Sequence, residues 1–92
     1  MKVFIQDPDA KIDYPIDWTD YLETGETIAS SAWSIEPTGP TIDNDSESDG
    51  VTVVYVSGLE RGKRYRLSNQ ITTSNTPART PERSVVIRAE HR

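Results

Sequence analysis

The 92-residue chain contains no cysteine, one histidine, one phenylalanine and one methionine. Without cysteine there is neither a disulfide framework nor a thiolate metal site, so packing alone must hold the fold. The redox compartment is left open by the same absence. The single histidine is His91, the penultimate residue, where a frayed end holds no general base within hydrogen-bond reach of a nucleophile. Serine–histidine catalysis is therefore not expected, in spite of the many serines. Long apolar runs are missing too. The opening "MKVFIQDPDA" offers three consecutive apolar residues after its Lys, far short of a signal-peptide core or a spanning helix, and a cytosolic product is expected. No phosphate-cradling glycine pattern occurs; Gly58 and Gly62 flank a corner.

What is present is charge. Ten Lys and Arg against fifteen Asp and Glu give a net charge of −5, with a pI of about 4.7. Unspecific binding to nucleic acid or to an anionic membrane is not expected of such a chain. The distribution is uneven: acids dominate before residue 50, whereas Arg61, Lys63, Arg64, Arg66, Arg79, Arg83, Arg88 and Arg92 supply most of the bases after it. That arrangement suits electrostatically guided docking to protein, or else makes two solvated faces of opposite sign. A hydrophobic fraction of 34% implies a small core, with most side chains facing water.

Proline and glycine cut the chain into short segments that read as strands. In "KIDYPIDW", Ile12, Tyr14, Ile16 and Trp18 recur at period two, and Pro15 demotes the strand to a sheet edge. "TDYLETGE" reads as one helical turn or a tight loop, with Thr19 as its cap. "TIASSAWSIEP" places Ala29, Ser31, Trp33 and Ile35 on one face, and Trp33 is the expected centre of the core. "VTVVYVSG" is the strongest strand, with Val54 and Val56 inward in register with Leu59. In "SGLERGKRYRL" a Leu, a Gly three residues on and a Tyr six residues on match the corner joining two sheets in immunoglobulin-like and fibronectin type III-like sandwiches. Tyr65, Leu67 and Ile71 continue inward, and Asn69 on that face needs hydrogen-bond partners. "RSVVIRAEH" closes the pattern, turning Val85, Ile87 and Ala89 in and Ser84, Val86 and Arg88 out. The expected fold is all-β: an antiparallel sandwich of about seven strands forming a single domain over residues 1–92, with residues 1–10 its first strand or an arm.

Candidate chemistry is sparse. "DNDSESDG" at residues 43–50 begins like a calcium loop, but aligning Asp45, Glu47 and Asp49 with the first ligand positions puts Val56 where a bidentate Glu is required. An acidic, flexible inter-strand loop is the expected alternative, and no metal or cofactor is expected. Asp17 and Asp20 would serve glycoside hydrolysis only across a cleft with one carboxyl in an apolar pocket. "NQITTSNTPARTPERS" is either a recognition loop at a sandwich end or an ordinary hairpin connection.

The stretch "DPDAKIDYPIDWTDYLETGETIASSAWSIEPTG", with "GLERGKRYRLSNQITTS" and "ERSVVIR", resembles the phage fiber-tail adaptor family of tailed bacteriophages and prophages. The resemblance implies an immunoglobulin-like fold and a non-enzymatic structural role at the neck or tail of a virion, after a stay in the host cytoplasm. Its partners would be other virion proteins, including copies of itself in a ring. The alternative is a carbohydrate-binding or host-surface module, for which exposed Trp18 and Tyr21 would speak. The candidate protein-interaction residues are Val3, Phe4 and Ile5, able to add a strand to a partner's sheet, and the bases Arg64, Arg66, Arg79 and Arg83.

Overall fold

The computed structural model describes residues 2–90; Met1, His91 and Arg92, the last two singled out above, lie outside the described residues. Seven strands form: β1 (Val3–Gln6), β2 (Ile12–Asp17), β3 (Ile28–Glu36), β4 (Thr41–Ser48), β5 (Val51–Ser57), β6 (Arg64–Thr73) and β7 (Glu82–Ala89). One sheet has the order β1-β7-β6-β3 and the other β2-β5-β4. The sandwich meets the all-β expectation, with β2 at a sheet edge as Pro15 requires. One pairing departs from it. β1 runs parallel to β7, Val3 beside Val86 through Gln6 beside Ala89, because the five strands between them supply the long connection that parallel neighbours need.

The inward residues of the two sheets form two clusters. The larger contains Tyr14, Val54, Val56, Leu59, Tyr65, Leu67 and Ile87; the smaller contains Ile16, Trp18 and Ile71. Trp33 is only partly buried and packs against both, so the central place expected of it belongs to Trp18, whose exposure is 0%. The reason is position: β3 ends its sheet, leaving Trp33 beside water. Ala29 is exposed instead of sharing the inward face, since a bulge between Ile28 and Ser30 changes the phase of the strand.

Trp18 is held by Asn69, also fully buried. Its Oδ1 accepts from Trp18 Nε1 at 2.9 Å and Thr52 Oγ1 at 2.6 Å, and its Nδ2 donates to Ser31 Oγ at 2.8 Å and the Ala32 carbonyl at 3.1 Å. All four hydrogen-bonding positions of the amide are used. At the corner between β5 and β6, the Glu60 N–H donates to the Tyr65 hydroxyl at 3.0 Å, which is the backbone bond that the Leu-Gly-Tyr spacing anticipates.

Two local expectations are corrected. Asp17, not Thr19, caps the turn after β2: its Oδ1 accepts from the Thr19 N–H at 2.9 Å and Thr19 Oγ1 at 2.6 Å, while Trp18 O accepts from the Tyr21 and Leu22 amides. The acidic stretch is not a flexible loop either, because Thr41–Ser48 is strand β4, bulged between Asp43 and Ser46. Only Asp49 and Gly50 turn, with φ of 51° and 84°. Two successive positive φ values define the tight hairpin that Asp-Gly favours.

Trp18→Ala is expected to cost about 3–5 kcal/mol, the range for deleting a buried aromatic side chain, and Trp33→Ala clearly less. Equal losses in urea denaturation would contradict this division of the core. Asn69→Ala leaves the Trp18 and Thr52 donors buried without an acceptor and is expected to cost roughly 2–4 kcal/mol.

Candidate functional site

Strand pleating sorts the charges left outside the core. On the outer face of the four-stranded sheet the register aligns Val3, Val86, Arg66 and Glu36 in one row and Ile5, Arg88 and Arg64 in the next. This face carries an apolar stripe beside guanidinium groups. Arg88 pairs with Glu90 at 2.6 Å, whereas among the described residues no ion pair includes Arg64 or Arg66. Between them lies a shallow depression of about 440 Å³ lined by Glu36, Pro37, Arg64, Tyr65, Arg66 and Val86.

The outer face of the three-stranded sheet has the opposite sign. Its rows are Asp13, Tyr55 and Asp43; then Pro15, Val53 and Ser46; then Asp17, Val51 and Ser48. Lys11 bridges to Asp43 at 3.1 Å and lies over the Tyr55 ring at 5.7 Å. On the outer sheet faces the acids of β2 and β4 are thus separated in space from the bases of β6 and β7, because the two strand pairs lie in different sheets.

Of the candidate interaction residues, Val3, Ile5, Arg64 and Arg66 share the outer face of the four-stranded sheet. Phe4 points the other way, its ring edge-on to Tyr14 with centroids 5.5 Å apart. Arg79 and Arg83 serve the molecule's own loop pole. Arg79 donates through Nε to Glu26 Oε2 at 3.2 Å and through Nη2 to Oε1, with its guanidinium 4.4 Å from the Tyr21 ring centre. Arg83 Nη1 donates to the Asp17 carbonyl at 2.7 Å and to Asp20 Oδ1 at 2.9 Å, above the Trp18 ring. The segment after β6 folds back in the same way: the Ser74 N–H donates to Thr27 O and the Arg79 N–H to Thr73 Oγ1, both at 2.9 Å. Val86 and Arg88 complete the outer face. They were legible in the alternation of β7 but had not been joined to Val3 and Ile5, since nothing in sequence spacing pairs the first strand with the last.

These contacts also bear on other chemistry. Trp18 is buried and offers no face to a sugar, and the partly exposed Tyr21 has the Arg79 guanidinium over its ring. A depression is lined in part by Glu23, Glu26, Glu47 and Asp49, and of these Glu26 lacks the raised pKa that a glycosidase acid needs. The Arg79 hydrogen bonds hold Glu26 below the usual carboxylate range. Burial pushes the Tyr14 hydroxyl up to about 12, and it donates to Gln6 Oε1 at 2.6 Å. Among the described residues no three His, Cys, Asp or Glu side chains are grouped to hold a metal ion.

Fold and surface together define a small β-sandwich with outer sheet faces of opposite charge. The chain belongs to the family described as podophage GP4 fiber-tail adaptor protein gp77, whose model matches residues 6–88. Among curated proteins none matches.

The Glu26–Arg79 pair gives a pH prediction. A carboxyl whose folded pKa is depressed contributes stability above its unfolded pKa, about 4.3, and loses that contribution as pH falls through the folded value. Glu26→Gln is therefore expected to lower the melting temperature at pH 7, with the gap to the wild type closing toward pH 3. A gap of constant size from pH 7 to 3 would show that the pair does not titrate in this way.

Proposed function

We propose that this protein is a non-enzymatic structural adaptor in the tail of a phage particle, joining other virion proteins through the surfaces of one β-sandwich. The family match over residues 6–88 carries the reading. The strand orders support its immunoglobulin-like part: β2-β5-β4 and β3-β6-β7 correspond to the B-E-D and C-F-G sheets of that arrangement, with the first strand moved to the C-F-G side. Waiting in the host cytoplasm before assembly fits the same role, which needs no contact with nucleic acid or membrane.

Two faces of opposite sign support head-to-tail association. A ring requires each copy to offer its neighbours two different surfaces, and the Arg64–Arg66 face differs from the Asp13–Asp43 face and can meet acids on the next copy or on a different virion protein. Charge of this kind steers encounter and register more than it supplies affinity. Assembly is therefore expected to weaken as salt rises. Arg64→Glu and Arg66→Glu, made separately, should fold normally, as exposed substitutions shift stability by no more than about 0.5 kcal/mol. Both should enter particles poorly. Incorporation equal to wild type in both variants would remove this face from the mechanism.

A further inference from the structure

Each sheet of a sandwich exposes two strand edges, and proteins usually blunt them with proline, charge, bulges or covering segments. Three of the four edges here are treated in that way. β2 carries Pro15, and Arg83 closes the Asp17 carbonyl. β4 is broken by its bulge and studded with Asp43, Asp45 and Glu47. β3 is bulged near its start and packs beside β4. Val3–Gln6 carries no proline, charge or bulge, and among the described residues no strand covers its outer edge; its shortness is the one blunting feature within it.

The ladder between β1 and β7 fixes which way the backbone of β1 points. The Val86 N–H donates to Lys2 O at 2.8 Å and the Glu90 N–H to Gln6 O at 3.1 Å. Alternation along the strand then turns the backbone groups of Lys2, Phe4 and Gln6 toward β7 and those of Val3 and Ile5 outward, where no strand lies among the described residues. The side chains of Val3, Phe4 and Ile5 are 52%, 37% and 40% exposed. The strand is nonetheless fastened. Gln6 is fully buried, its Nε2 donating to the Val56 carbonyl at 3.0 Å and to Ala10 O at 3.1 Å. β1 is therefore a fixed template for another strand.

We propose that β1 receives an extended segment of a partner virion protein, which continues the four-stranded sheet by pairing with the backbone of Val3 and Ile5. This rests on the adaptor reading and names the chemistry of one partner: a strand-forming segment with apolar residues at i and i+2 to lie beside Val3 and Ile5, on a protein that is acidic where it overhangs the sheet. Charge complementarity argues the second feature. The unpaired Arg64 and Arg66 lie on β6, roughly 10 Å across the sheet from β1 at two strand spacings, and Lys2 and Arg88 flank the edge. A second copy is disfavoured as the occupant: pairing β1 with another β1 needs a two-fold axis that head-to-tail copies do not have, and the β2, β3 and β4 edges that a copy could otherwise offer are the protected ones.

The test uses backbone chemistry to separate edge pairing from side-chain packing. Ile5→Pro removes an N–H that points outward and leaves the β7 ladder intact, whereas Ile5→Thr keeps the N–H and changes only the side chain. Both should be folded by circular dichroism. Ile5→Pro should enter particles about tenfold less than wild type, the scale of lost backbone hydrogen bonds, and Ile5→Thr nearly as well as wild type. In wild-type particles the Val3 and Ile5 amides should exchange hydrogen about a hundredfold more slowly than in the isolated protein. Normal incorporation of Ile5→Pro, equal loss in both variants, or slow exchange at these amides already in the isolated, concentrated protein, the mark of self-pairing, would each overturn the proposal. An immunoblot of purified particles separates the two readings: absence of the protein removes the adaptor role and this inference with it, whereas its presence with fast-exchanging Val3 and Ile5 amides removes only the inference. Should Ile5→Pro fail to fold, the exchange measurement on wild-type protein decides alone.

Discussion

A single buried amide joins most of what this structure depends on. Asn69 sits on β6, yet it reaches Trp18 at the end of β2, Thr52 on β5, and Ser31 and Ala32 on β3. Both sheets therefore meet at one side chain, in a chain without disulfides to cross-link them. Burial of a polar group is tolerated only when its bonds are made, and here the geometry that satisfies Asn69 is available only when the sheets are in this register. A shift of one residue along β6 would turn the amide to water and Arg64 and Arg66 inward. The network works as a register lock, and the exposed surfaces inherit their alignment from it.

The outer faces follow from the same alternation. Because Tyr65, Leu67, Asn69 and Ile71 point in, Arg64, Arg66 and Ser68 must point out. Because Val85, Ile87 and Ala89 point in, Val86 and Arg88 must join them on the outside. Sequence halves of opposite charge become sheets of opposite charge since the chain builds β2, β4 and β5 into one layer and β6 and β7 into the other. The opposite charges of the two outer faces are thus a product of topology acting on a simple linear bias.

What could be read in advance divides along physical lines. Period-two patterns in β2, β5, β6 and β7 were legible because each strand has one buried face, and the Tyr65 corner was legible because its geometry is local. Trp33 and Trp18 were exchanged in importance, since periodicity gives the face of a residue but not its distance from a sheet edge. Residues 43–50 read as loop because their acids hide a strand whose pairing comes entirely from β5; the Asp49-Gly50 turn is the local sign of that hairpin. Val3 and Ile5 were singled out for being apolar and Arg64 and Arg66 for being basic, but their meeting on one face needed the β1–β7 pairing, which joins opposite ends of the chain. Arg79 and Arg83 carried the same charge as Arg64 and Arg66 and nothing in the sequence distinguished them. Their carboxylate partners are more than fifty residues away.

The anchoring of β1 has a mechanical consequence. Gln6 ties the end of the strand to the Val56 carbonyl and the Tyr14 hydroxyl of the opposite layer, while the β7 ladder holds its length. A pull along the strand axis loads those ladder bonds in shear, together, instead of opening them one after another as a peeling force would. Tension entering at β1 spreads into both layers at once, so the shortest strand of the fold is fastened to more than its own ladder.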